Sequence, residues 1–384
     1  MKILFITLSP IDSTFSMAHR NRSLISGLVQ LGHQLDIITI YPYDSTIQIS
    51  DLDIFSKVNI VRVNQKPSLN GNSSILKRGG NSYLSKLFRK IYHHLFPFDS
   101  SYFLLNKIGL DILPEKQYDI IISSSDPKTS HILTKLLIKK GLKYRRWIQY
   151  WGDPLTLDIT SKLIYPKWMI RILEKSILKN SDSIVYVSPI TYKEQSKMFH
   201  TYSDRMKYFS IGYEKEKLYP KTNNKKFVIG YFGFYLNTVR NILPLYNAVA
   251  NSTEDFELNI VGTSDIELKK SDRVFVFDNS NNIESHELKT DLIVVVLNLR
   301  GGQIPGKIFH LAATNKPVLI VLDGEYKDII KDMLAQYNRF VFCENNEVDI
   351  LTKIIEIKNK NISYSPVAEL HSIQIAKKII EMIN

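Results

Sequence analysis

Short, mostly apolar runs alternate along this chain with longer stretches in which apolar residues recur every three or four positions. The run 2–8 comes first, then a polar loop from Ser9 to Ser16, then Leu24, Leu28 and Leu31 at helical spacing up to Gly32, then the run 35–41. Apolar runs of this length between turn residues read as buried strands, and the three-to-four spacing reads as helices packed on them. Strand, helix and strand in that order make a βαβ unit, and its crossover makes the sheet parallel. Strands are predicted again at 58–63, 118–124, 146–151, 183–188 and 206–211, and helices from Pro127 to Lys140 and over 165–180 and 191–200. The polar, charged stretch 215–226 interrupts the rhythm. It then resumes with strands at 227–233, 256–262, 273–278, 292–297, 318–322 and 339–342, and helices around Leu245 and Val249 and over 326–337, 348–357 and 368–383. Two successive α/β halves are expected, with the boundary between 204 and 224.

The stretch from Arg300 to Leu322 has the densest signal. Gly301 and Gly302 make a flexible turn, and Gln303, Ile304 and Pro305 lead into a short helix through Gly306, Lys307, Ile308, Phe309, Leu311, Ala312 and Ala313. Asn315-Lys316-Pro317 stops that helix before the apolar strand. Glycines let backbone come close to a ligand, and a helix start presents free N–H groups and the positive end of its dipole, so the spacing describes an anion site. An ordinary loop–helix–strand unit is the other reading.

Pro305-Gly306-Lys307-Ile308-Phe309-His310-Leu311-Ala312, followed by Asn315-Lys316-Pro317-Val318-Leu319, resembles the donor-site segment of the GT4 family of retaining GT-B glycosyltransferases. The resemblance implies two Rossmann-like, doubly wound parallel-sheet domains facing a central cleft: an acceptor-side domain at 1–205, joined by the closing helix 368–384, and a nucleotide-sugar domain at 206–367. It implies that this segment holds the diphosphate and ribose of the donor. Most members carry two glutamates here; Gly302 and His310 stand at those positions in this chain. After the first strand of the second half the family has Gly-Arg and a later lysine. Gly233 is kept, Phe234 replaces the arginine, and Arg240 falls at the lysine position. Arginine holds phosphate in bidentate fashion, so Arg240 and Lys307 are the candidate pair for charge developing on the leaving diphosphate, with the backbone from Gln303 to Lys307. Each also reads as a plain surface charge. Gly262, at the end of the strand 256–262, joins the donor-side candidates, and His310 is assigned to the ribose.

The first half offers acceptor-side candidates. Ser125-Asp126-Pro127 and Gly152-Asp153-Pro154 end two predicted strands at the carboxyl edge of the sheet, where ligands bind in such folds. In similar glycosyltransferases these tips face the cleft and position acceptor or donor sugar, which makes Asp153 a catalytic candidate. Asp126 reads equally as a helix N-cap before Pro127. Arg20 and Arg22 stand on the first helix either as holders of an anionic acceptor or as exposed charges. From Lys77 to Phe98 no acidic residue occurs, while Leu84, Leu87, Phe88, Ile91, Tyr92 and Leu95 keep helical spacing. An anionic bilayer surface is one partner for this stretch, at 77–96, and packing on its own domain is the other reading.

Composition narrows the function classes. The 384 residues are 44% hydrophobic and 23% charged, as in a globular protein of two ordinary domains. A net charge of +12 implies an anionic partner without naming it. The run 2–8 is cut by Ser9-Pro10 and Asp12, short of a signal-peptide core, and no run of apolar residues reaches membrane-spanning length. The single Cys343 excludes an internal disulfide and a cysteine zinc cluster, which fits a reducing cytoplasm. No HExxH, GxSxG, P-loop or GxGxxG pattern is present, which argues against zinc hydrolase, α/β-hydrolase and first-unit dinucleotide chemistry. Asp51-Leu52-Asp53 has metal-pair spacing and reads as a solvated turn.

The expectation is a metal- and cofactor-independent retaining glycosyltransferase, with a nucleotide sugar as donor and a glycan or polyprenyl-diphosphate-linked acceptor in a bacterial O-antigen or capsule pathway. Its place is the cytoplasm or the inner face of the plasma membrane, and nucleic acid is not a partner. A non-catalytic glycan- or nucleotide-binding subunit is the alternative.

Overall fold

A computed structural model describes residues 1–42, 53–64, 91–92, 94–158, 161–278, 283–360, 362 and 364–382. Most of the basic amphipathic stretch 77–96, and Asp51 and Leu52, lie outside these residues. The chain forms two compact units, Met1–Glu214 with Ser372–Asn384, and Lys215–His371.

The first unit carries seven strands: β1 (Lys2–Ile6), β2 (Gln34–Ile40), β3 (Asn59–Val63), β4 (Gln117–Ser124), β5 (Lys143–Trp151), β6 (Ser183–Tyr186) and β7 (Met206–Tyr208). They lie in the order β3-β2-β1-β4-β5-β6-β7, and every neighbouring pair is parallel. Its helices are α1 (Ser16–Gln30), α2 (Thr129–Lys139), α3 (Lys167–Leu178) and α4 (Pro189–Met198). Ile3 to Ile6 have no exposed surface, because helices cover both faces of a parallel sheet; that is why these strands read as continuous apolar runs rather than alternating ones.

The second unit repeats the plan with six parallel strands: β8 (Phe227–Phe232), β9 (Phe256–Val261), β10 (Val274–Phe277), β11 (Leu292–Val296), β12 (Val318–Leu322) and β13 (Val341–Glu344). Their order is β10-β9-β8-β11-β12-β13. Its helices are α5 (Leu243–Ala250), α6 (Ile283–Lys289), α7 (Lys307–Leu311), α8 (Lys327–Ala335) and α9 (Glu347–Lys360). One face of the sheet packs Ile229, Leu258, Val294 and Leu319 against Leu245, Val249, Ile350 and Ile354. Each sheet is a doubly wound α/β arrangement. The point where strand order reverses, between β1 and β4 in one unit and between β8 and β11 in the other, is where such sheets bind ligands.

The last helix, α10 (Ser372–Glu381), belongs to the first unit and packs on α1. A Cβ on Gly27 would stand 2.2 Å from the Ser372 carbonyl oxygen, so glycine in mid-helix is what lets the two backbones approach.

Some elements differ from the sequence reading. The strand expected at 206–211 to open the second domain is the three-residue edge β7 of the first sheet, and the second unit begins at Lys215. Arg339, expected in the last strand, lies outside it with its guanidinium buried. Its Nη2 donates to the carbonyl oxygens of Thr314 and Lys316, both at 2.7 Å, and so ties down the backbone just after α7. Among the described residues no helix is long and apolar enough to cross a membrane.

Candidate functional site

Two groups of polar side chains stand at the two switch points. In the second unit, β8 ends at Phe232 and turns through Gly233, whose φ of 133° favours glycine. Gly262, after β9, has φ 156°, and a Cβ there would lie 2.1 Å from the Gly233 carbonyl oxygen. The two glycines let the β8 and β9 ends touch.

Both predicted cations converge on this turn. Lys307 Nζ donates to the Phe232 carbonyl oxygen at 2.7 Å and lies 4.3 Å from the centre of the Tyr231 ring. Arg240 Nη1 donates to the Phe234 carbonyl oxygen at 3.1 Å, and Nε donates to Asn298 Oδ1 at 2.9 Å, just past β11. Burial pulls the Lys307 ammonium well below its ordinary pKa, and the charge of Arg240 pulls it further the same way. Neither cation is within ion-pair distance of an acidic side chain among the described residues. Two cations on carbonyl oxygens, without a carboxylate, leave positive charge to be balanced by an anion.

Asn298 completes the arrangement: its Nδ2 donates to the Gln303 carbonyl oxygen at 3.0 Å and so links Arg240 to the 301–306 loop. Sequence reading passed over it, although a lone polar residue directly after the apolar run 292–297 is the same signal that marked Asp153. Gly301, not Gly302, carries the positive φ of 74°, and its N–H donates to Glu325 at 3.2 Å; Gly302 is buried. Gln303 Nε2 is buried with no acceptor. The Pro305 carbonyl accepts the Ile308 N–H at 3.0 Å and the Gly306 carbonyl that of Phe309 at 3.2 Å, so those two amides are used within the turn. Gly306 has ordinary helical φ/ψ, Ile304 is half-buried, and His310 lies half-buried in the last turn of α7. The helix is five residues long, shorter than its apolar pattern implied; Ala312 keeps αR geometry, and Ala313 and Thr314 follow in turns that donate to the carbonyls of His310 and Leu311 before β12.

In the first unit, the ends of β4 and β5 are joined by a hydrogen bond from the Gly152 N–H to Ser125 Oγ at 3.1 Å. Asp126 does not cap a helix. α2 starts at Thr129, and the Asp126 carboxylate pairs with Lys128 Nζ at 2.6 Å, while Asp158 reaches the same ammonium at 3.3 Å. Burial opposes the Lys128 charge, but Asp126, Asp158 and Asp153 outweigh it and hold the pKa above normal. Asp153 is half-buried beside this group. Burial pushes its carboxyl up to about 7, Asp126 and Asp158 add to the rise, and Lys128 and Arg20 oppose it. Glu174 of α3, fully buried, accepts the N–H groups of Leu155 and Thr156 at 2.9 Å each and anchors the loop that carries Asp153.

The two arginines of α1 are buried, not exposed, and they differ. Arg22 Nη1 donates to the carbonyl oxygens of Ile11 and Ser13 at 2.7 Å each, and its Nε lies 3.4 Å from Glu214, so it holds the loop after β1. Arg20, 6% exposed, has Nε and Nη2 buried without a hydrogen-bond acceptor. Its guanidinium stacks 5.4 Å from the Tyr150 ring centre, and its Nη1 occupies the space a Gly152 side chain would need, 1.8 Å from an ideal Cβ. Unsatisfied donors thus stand beside the peptide that leads into Asp153. Lys128, Asp158 and Glu174 were not marked by the sequence, since nothing in their spacing connects them.

No family model matches the chain, and no curated protein does. Solved structures do. The apo lipopolysaccharide outer core galactosyltransferase WaaB is 13% identical over 100% of this chain and 99% of its own, with a TM-score of 0.54. A glycine-to-arginine mutant of S. aureus TarM, in complex with fondaparinux, alpha-GlcNAc-glycerol and UDP, is 12% identical over 100% and 96%, with a TM-score of 0.56. An E. coli protein of trehalose-6-phosphate chemistry, bound with UDP-2-fluoro glucose, is 10% identical over 100% and 99%, with a TM-score of 0.54. These likenesses show the fold, which is GT-B.

Proposed function

We propose that this chain is a glycosyltransferase that moves a sugar from a nucleoside-diphosphate donor to a hydroxyl of a glycan or lipid-linked acceptor. One observation carries the reading: Arg240 and Lys307, with no acidic partner among the described residues, meet at the switch point of the second sheet on the carbonyls of Phe234 and Phe232. Fixed cations there stabilise the charge that builds on the diphosphate as the glycosidic bond breaks. Gly233 and Gly262 open the backbone to the phosphates, Asn298 fixes the Arg240 fork against the 301–306 loop, and His310 takes the ribose. In the first unit, Arg20 donates to an acceptor oxygen, and Asp153 holds a reacting hydroxyl, with Asp126 tuning its proton affinity. Retention of configuration, independence from metal, GT4 membership and a role in bacterial surface polysaccharide synthesis at the cytoplasmic face of the membrane follow from the sequence resemblance.

WaaB, a galactosyltransferase, TarM, bound with UDP and alpha-GlcNAc-glycerol, and the E. coli UDP-2-fluoro glucose complex support this reading for a chain of the same fold. The alternative, a non-catalytic binding subunit, is favoured by Phe234, Gly302 and His310 at positions where the resembling family has arginine and glutamates. Calorimetric titration with UDP-, GDP- and dTDP-sugars tests both. Micromolar binding of one nucleotide class, lost in Arg240→Ala or Lys307→Ala, is the expected result, and hydrolysis or transfer of that donor separates enzyme from binding subunit. If no nucleotide sugar binds, the proposal fails.

A further inference from the structure

The first unit carries a surface that its own fold leaves open. α3 buries Ile170, Ile177 and Leu178 and tucks the Glu174 carboxylate onto the Leu155 and Thr156 amides. Its outer side is apolar as well: Trp168 is 63% exposed, Ile172 61% and Met169 41%. Trp168 and Ile172 are one helical turn apart, and Ile164, 63% exposed, stands three residues ahead of the helix. Its N–H donates to the His94 carbonyl oxygen at 3.1 Å, which ties the ridge to Leu95, itself 45% exposed.

The exposed charges of this segment have one sign. Lys162, Lys167, Arg171, Lys175 and Lys179 are exposed between 161 and 180, and the only acidic residue in that interval, Glu174, is fully buried. A second copy of the chain would bring this cationic field against an identical one. An anionic headgroup layer complements it while the apolar side chains enter the acyl boundary.

We propose that the face formed by Ile164, Trp168, Met169 and Ile172 with the flanking lysines docks the protein on an anionic lipid bilayer. None of these residues belongs to the donor or acceptor sites assigned above, so the proposal stands or falls independently of the enzymatic reading. α3 lies in the membrane plane, its inner side still packed on the sheet.

The chain supplies its own reporter. Of the three tryptophans, Trp147 and Trp151 are at most 1% exposed, so Trp168 alone senses the surface. Purified full-length protein is titrated with vesicles of phosphatidylcholine alone and of phosphatidylcholine with phosphatidylglycerol, following co-sedimentation, tryptophan emission and quenching by brominated acyl chains. Binding to the anionic vesicles, a blue shift and chain-depth quenching are expected. Lys162→Glu with Lys167→Glu and Lys175→Glu weakens partitioning about a hundredfold or more, at about fivefold per cation. Trp168→Ser with Ile172→Ser also weakens it, and both variants keep wild-type thermal unfolding and donor binding. Co-sedimentation with no change in Trp168 emission overturns the proposal in favour of another docking segment. Wild-type partitioning of the triple variant overturns it too, as does a concentration-dependent dimer that Trp168→Ser abolishes without any vesicle binding.

Discussion

Lys307→Met is the sharpest perturbation of the donor site. The ammonium makes one hydrogen bond, to the Phe232 carbonyl, and is desolvated beside Arg240, which together hold its pKa well below the ordinary 10.5. A bound diphosphate adds a negative partner, and a charge-assisted hydrogen bond of this kind contributes about 1.5–3 kcal/mol, roughly 10- to 150-fold in Kd. Because the anion favours the charged form, the pKa rises on binding, and between the free and bound values the complex takes up a proton. Calorimetric titration at several pH values below 10.5, in two buffers of different ionisation enthalpy, measures that uptake directly. Wild-type protein should show net proton uptake; Lys307→Met should show none and bind more weakly by the stated factor. The same depressed pKa sets a stability trend. Between the folded value and 10.5 the unfolded chain binds more protons, so unfolding free energy rises with pH across that window. Methionine, which keeps the stem and removes the desolvated charge, should erase that rise and unfold no lower than wild type near neutral pH. Buffer-independent binding in the wild type, or wild-type affinity in Lys307→Met, would refute the assignment.

Arg240→Lys keeps the charge but cannot hold both Asn298 and the Phe234 carbonyl, so donor affinity in the same titration should fall about tenfold. Gly262→Ala forces a Cβ into the Gly233 carbonyl and should cost about 3 kcal/mol in denaturant unfolding; a variant as stable as wild type would disprove that contact. The Asp153 carboxyl, raised to about 7, binds its proton more tightly folded than unfolded, so its contribution to stability is complete below about 4 and is lost as pH rises through 7. Asp153→Asn should therefore raise the melting temperature more at alkaline than at acid pH, and should remove the limb of the pH–rate profile near neutrality. Glu174→Ala strips the acceptors from two amides and should lower stability by about 3 kcal/mol while slowing transfer through a displaced Asp153 loop; unchanged hydrogen exchange at Leu155 and Thr156 would count against this role.

The order of strands and helices, the two parallel sheets and the glycine turn at Gly301 were legible in the sequence, because burial on both faces writes a parallel strand as a mostly apolar run. The individual side chains of the sites were less so. Arg20 and Arg22 sit two positions apart on one helix, and only the positions of Ile11, Ser13 and Glu214 make one structural and leave the other with donors to spare. Asp126-Pro127 fits a helix start by local rules, yet Lys128 claims the carboxylate once the chain folds. Trp168 and Ile172 have the same apolar character as Ile170 and Ile177, so periodicity cannot say which side of α3 is covered. Local pattern records the preference of each residue for burial or for a backbone conformation. Which charges are desolvated, paired or left open depends on groups distant in sequence, and only the tertiary structure brings those together.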